Sequence, residues 1–171
     1  HKVKLGPDLY DAIRQDKRLL IESCFKVVDG DSQKAVPFLF RSLQDAYWKE
    51  RTTCDSILKA RKEGFSALID AEYLASCILE EHTHALVVAH RDEDTKILFD
   101  RVRWMKDNLP FEVPVSTEGA GHLYFPQTES DFRVITARGK DPGRGRDITH
   151  LHLSEAAFYP DYDFLAAVEG A

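Results

Sequence analysis

Two short segments of this 171-residue chain carry side chains whose types and spacing can do chemistry. The first is Lys59-Ala60-Arg61-Lys62-Glu63-Gly64-Phe65-Ser66, which lies between a short apolar run containing Ile57 and Leu58 and a long helical pattern. Its glycine and hydroxyl therefore fall at the start of a helix. The first backbone N–H groups of a helix have no helical partner, and the dipole is positive at that end, so an anion is favoured there. The ordinary phosphate-loop pattern is G-x-x-x-x-G-K-[ST]. On that frame Gly64 and Ser66 match, Lys59 replaces the first glycine and Phe65 replaces the lysine. The positive charge is displaced to the loop entrance, from which Lys59 is expected to reach the β and γ phosphates. The competing explanation is a basic turn with one glycine that happens to precede a helix.

The second segment is Ile148 to Phe158, in which Ile148, Leu151 and Leu153 suit a strand and Ser154-Glu155 stand at its C-terminal end. Active sites of open α/β sheets lie at that edge. A carboxylate placed there can align or deprotonate a water that attacks a phosphate, so Glu155 is the expected catalytic base. Ser154 stands where a magnesium-holding acid commonly precedes such a base. Ser66 and Glu155 are accordingly the residues expected nearest a metal ion.

The elements that must position these groups follow from hydrophobic periodicity. Apolar residues recurring every three or four positions predict a leading helix from Pro7 to about Asp29, a shorter helix from Arg41 to Arg51, a long one from about Ser66 to His82 and another from Asp94 to Asn108. CDSILKA, ahead of the phosphate loop, is expected to form a buried strand. ALVVAH, residues 85–90, has the β-branched content of a strand covered on both faces. HLYFP and DFRVITA are expected to pair as a hairpin-like insertion. Strands alternating with helices imply an α/β fold with a mainly parallel central sheet flanked by helices on both faces.

Composition bounds the function. At 43% hydrophobic, the chain is long enough for one core and short for two. The net charge of -6 excludes a globally basic nucleic-acid module, so any DNA contact must be local. Basic residues bunch at Arg101, Arg103 and Lys106 on one predicted helix, and at Arg138, Lys140, Arg144 and Arg146 in the glycine-rich loop GKDPGRGRD. Arg138, Arg144 and Arg146 are candidates for an arginine finger acting on a neighbouring subunit, against the alternative of a solvated loop. Cys24, Cys54 and Cys77 have no paired spacing, which favours reduced thiols over disulfides or zinc. Trp48 and Trp104 sit on apolar helix faces and are expected in the core.

KARKEGFS and LSEAAF, in that order, resemble the deviant phosphate loop and the acidic strand end of phage large terminases, over roughly residues 36–160. The resemblance implies a P-loop NTPase of the ASCE type that binds ATP and Mg²⁺. It places Lys59 on the phosphates, Arg61 as a further basic contact, Gly64 at the close backbone approach and Ser66 on the magnesium. The rest of the loop, Ala60, Lys62, Glu63 and Phe65, and the following Ala67 would also line the nucleotide. Phe38 and Gln44 stand where the family carries adenine-contacting residues, and His90 where it often has a polar one. The implied division is a leading helix and linker over 1–35 and an ATPase core over 36–171. On this resemblance the core is expected to stop before the coupling motif, with the nuclease domain absent from this chain. The implied function is that of a motor driving double-stranded DNA into a procapsid, as a ring working with the portal protein and the small terminase subunit in the cytoplasm of an infected bacterium. The readings that compete with it are a helicase-like translocase and a non-enzymatic scaffold with a degenerate loop.

Overall fold

The computed structural model describes residues 7–60, 62–137 and 147–159. The expected leading helix is divided in two, α1 (Pro7–Gln15) and α2 (Lys17–Cys24), before strand β1 (Lys26–Val28). Asp16 interrupts it. Its backbone is extended, with φ −140°, and its carboxylate accepts hydrogen bonds from the N–H groups of Arg18 (2.8 Å) and Leu19 (3.3 Å). A side chain that satisfies backbone donors in this way starts a new helix even where the apolar spacing continues. β1 turns back on β2 (Ala35–Pro37) as a small antiparallel hairpin that periodicity had not indicated.

The helix expected from Arg41 forms as α3 (Ser42–Glu50), and the long helix as α4 (Phe65–Leu79). Ten residues of α4 are buried, among them Leu68, Ala71, Leu74 and Ala75, so this helix runs through the core. The strand expected in CDSILKA does not form. Residues 54–60 have no regular structure, and Leu58 is fully exposed. Nothing among the described residues pairs with this run, and a single unpaired strand has no ladder to satisfy its backbone.

The main sheet has the order β4-β5-β6-β3-β7, built from β3 (His84–Ala89), β4 (Thr117–Gly119), β5 (His122–Phe125), β6 (Ser130–Thr136) and β7 (His150–Leu153). β3 lies in the middle, parallel to β6 on one side and to β7 on the other. β5 pairs antiparallel with both β4 and β6. The sheet is thus mixed rather than mainly parallel. The tight turn between β4 and β5 accounts for this: Ala120 and Gly121, with φ of +50° and +77°, are the left-handed pair that a two-residue hairpin needs. A Cβ at Gly121 would also lie 2.6 Å from the Val134 carbonyl oxygen.

Register sorts the two faces. Ala85, Val87 and Ala89 of β3 share a face with Phe132, Val134, Leu123 and Phe125, and all five α-helices of the described residues, including α5 (Asp92–Asp107), pack against it. On the opposite face Leu86, Val88 and Ala137 are covered by Ile135, Ile148, Leu153 and Tyr159. The expected helices on both faces are therefore found on one face among the described residues. No described helix is long and apolar enough to cross a membrane.

The same register turns His150 and His152 of β7 toward α4. The His150 ring meets Tyr73 edge-on at 5.1 Å, and the Tyr73 hydroxyl donates to the Leu151 carbonyl at 2.8 Å. Burial, reinforced by Lys17, holds the His150 pKa below its usual 6.5. Between that lowered value and 6.5 the unfolded chain binds more protons than the folded one, so stability rises with pH across the window and falls on acidification. Urea unfolding from pH 7.5 down to 5 is expected to show this loss, at most about 1.4 kcal/mol per pH unit, and His150→Phe should flatten it.

Candidate functional site

The C-terminal ends of β3 and β7, the N-terminus of α4 and the outer side of α5 meet around a cleft of about 160 Å³. Its walls are Ser66, His90, Asp94, Ile97, Leu98, Arg101, Ser154 and Glu155. Ser66 of the first segment and Ser154 and Glu155 of the second, far apart in the chain, are thus brought to one place at the carboxyl edge of the parallel strands.

The start of α4 is set by Gly64. Its φ of +75° is left-handed, and a Cβ there would lie 2.9 Å from the Gln44 Nε2. Gln44 is buried and fully committed to this loop. Its amide nitrogen donates to the carbonyls of Glu63 (3.2 Å) and Gly64 (3.0 Å), while its oxygen accepts from the Arg41 N–H at 3.0 Å. The Arg41 guanidinium donates to the Lys62 carbonyl at 2.8 Å. α3 therefore buttresses the loop from behind, with Gln44 as its strut. Gly64→Ala is expected to cost about 1–3 kcal/mol, since it combines a disfavoured backbone angle with a clash on the strut. A thermal melt of the variant would measure it.

Phe65, at the position of the usual lysine, points inward. It is 6% exposed and packs edge-to-face on Tyr47 at 5.7 Å. Lys59 and Ala60 are exposed and are not among the cleft's lining residues. Arg61 lies outside the described residues, as do Arg138, Arg144 and Arg146 of the glycine-rich loop. Phe38 is 3% exposed and joins the core beside Phe40. Of the loop residues, Ser66 reaches the cleft, while Ala67 is half-buried against the core cluster.

On the facing side, Ser154 donates its N–H to the Val88 carbonyl at 2.9 Å, which extends the β3–β7 pairing to the cleft edge. Glu155 then takes φ +59° and ψ +40°, a left-handed conformation that costs a non-glycine residue energy and tends to occur where a side chain is being aimed. The carboxylate is exposed. Behind it a short 3₁₀ turn, Ala156–Phe158, lets Phe158 stack on His90 with ring centres 5.8 Å apart. Tyr159 ties that turn down by donating its hydroxyl to the Val88 carbonyl at 2.8 Å. The Ser66 hydroxyl and the carboxylates of Asp94 and Glu155 give the cleft hard oxygen donors of the kind Mg²⁺ takes together with substrate phosphates.

The basic bunch on the fifth helix does not act as one patch. Arg103 pairs with Asp100 at 2.9 Å, and Lys106 pairs with Glu118 at 2.8 Å and Asp107 at 3.1 Å. Arg101 turns instead to Asp70 of α4 at 3.0 Å. No local pattern signals the Asp70 partnership, since the two residues lie on separate helices.

No family model and no curated protein matches the chain by sequence. A search of solved structures finds the crystal structure of the HK97 bacteriophage large terminase, with a TM-score of 0.74 and 23% sequence identity. The match covers 92% of this chain and 34% of that protein, so the chain spans about a third of its length. At this identity the likeness speaks for the fold alone. The chain has a terminase-like fold.

Proposed function

We propose that this chain is the nucleotide-binding ATPase part of a phage DNA-packaging motor, a terminase large subunit. The observation that carries the reading is the cleft itself, which Ser66 at the head of α4 and Glu155 just past the end of β7 both line. A triphosphate would lie against the free N–H groups of the α4 N-terminus. Ser66 and Glu155 would hold Mg²⁺, which neutralises phosphate charge when bound. The Glu155 carboxylate, aimed by its left-handed backbone, would orient the attacking water. Lys59, and Arg61 beside it, would approach the phosphates from the loop entrance. Double-stranded DNA, portal protein and small terminase subunit are the partners of this reading, with a ring of subunits at the procapsid in an infected cell. Arg138, Arg144 and Arg146 are then the candidates for a finger acting between subunits.

One observation favours the scaffold reading: Lys59 is exposed and not among the residues that line the cleft, and Phe65 occupies the lysine position. Titration of the chain with a fluorescent ATP analogue, with and without Mg²⁺, separates the two. Saturable, magnesium-dependent binding that unlabelled ATP displaces is the expected result. Absence of binding up to millimolar nucleotide would leave the scaffold.

A further inference from the structure

Among the described residues, Arg101 is the only lysine or arginine that walls the cleft, and it is held there by an unusual partner. Asp70 is completely buried, and its Oδ2 accepts from the Arg101 guanidinium at 3.0 Å. Ser66 and Asp70 are four residues apart on α4, so the carboxylate sits one turn below the hydroxyl on the same side of the helix. Its other oxygen, Oδ1, is buried without a hydrogen bond and lies 3.9 Å from the equally unbonded Nδ1 of His152 on β7. A buried carboxylate with one oxygen unmatched is costly for folding alone, so its retention calls for a role. The Arg101 side chain is one-third exposed, and a guanidinium has five donors. One grip from below fixes its plane and leaves the remaining N–H groups for whatever occupies the cleft.

We propose that Arg101 is the cation of this subunit's own cleft that binds the phosphate end of the nucleotide, and that Asp70 is the positioning residue that holds it there. The proposal rests on the nucleotide reading above. It brings a charge to the phosphates from α5, beside those that Lys59 and Arg61 would bring from the loop entrance. Ser66 on α4 and Arg101 on α5 then flank a polyphosphate, while His152, 3.9 Å from Asp70, sets the strand that leads to Glu155 alongside. A planar, always-charged arginine suits this task, because it can hold a carboxylate and a phosphate at once.

The test compares binding of ATP and of inorganic tripolyphosphate by calorimetry, using the full chain. Arg101→Gln alone strands a buried carboxylate, so it is compared only where it is folded, together with Asp70→Asn, Arg101→Lys and the doubly neutral Asp70→Asn/Arg101→Gln. Arg103→Gln, an exposed pair on the same helix, serves as the control. The double variant is expected to bind both ligands at least about tenfold more weakly than wild type. Arg101→Lys should recover part of that loss. Asp70→Asn should weaken binding severalfold while Arg101 is present and have no further effect once it is gone, a non-additivity that loss of packing would not produce. Unchanged ATP binding in the folded double variant would overturn the proposal and leave the nucleotide reading standing. Arg101-dependent binding of tripolyphosphate with no preference for ATP would uphold the phosphate contact and overturn the nucleotide reading. Wild-type chain that binds neither ligand would overturn both.

Discussion

Glu155→Gln is expected to leave ATP affinity within about twofold of wild type while lowering turnover by roughly 10² to 10⁴-fold in the assembled protein, the range for loss of a positioned acid–base group. The substitution preserves size and the acceptor oxygen, so the cleft walls and the left-handed turn at residue 155 should survive it. What is lost is the negative charge that pulls on a water proton. Binding and phosphate release must be followed separately, since a defect in affinity would mean that the variant had disturbed the cleft. If turnover persists with affinity intact, the role passes to Asp94, the other carboxylate of the cleft wall.

Restoring the consensus lysine should harm the protein. Phe65→Lys removes a ring that is 6% exposed and packed on Tyr47, and it sends an ammonium toward the core. Loss of a buried aromatic side chain typically costs 3–5 kcal/mol, and at about 3 kcal/mol a domain of this size loses roughly 6–12 °C of melting temperature. No gain in nucleotide affinity is expected at temperatures where the variant is folded. A variant that melted like wild type and bound ATP more tightly would show that the loop can swing the side chain outward, contrary to the packing described above.

Periodicity was a good guide wherever an element carries enough apolar residues to reveal its phase. α4, α5 and β3 lie within a few residues of their expected bounds, and HLYF and SDFRVIT do pair as antiparallel neighbours. Ser66 of one chemical segment and Ser154 and Glu155 of the other line the same cleft. The failures have physical causes. Asp16 divides a continuous amphipathic pattern because a carboxylate can compete with the backbone for its donors. CDSILKA reads as a strand from Ile57 and Leu58, yet strand formation depends on a neighbour that no local pattern reveals. Gln44, which the resemblance sets beside adenine, braces the loop at Glu63 and Gly64, a long-range contact that no local pattern reveals. Arg101 looked like one of three basic residues on a helix face. Its pairing with Asp70 depends on how two helices pack, which is information the chain holds only in three dimensions.

The place of β3 in the sheet has a consequence for the order of assembly. The strand at the centre of the five is also the earliest of them in the chain, and both of its neighbours arrive later, β6 after an intervening helix and hairpin and β7 later still. During synthesis His84–Ala89 therefore leaves the ribosome with neither edge paired, and it stays open until residues near 136 and then 153 have followed. Closing such long loops is entropically slow, so the helical layer around α4 has time to gather on one side before the sheet is complete. The cleft, whose wall includes Ser154 and Glu155, is therefore completed only once β7 has joined β3.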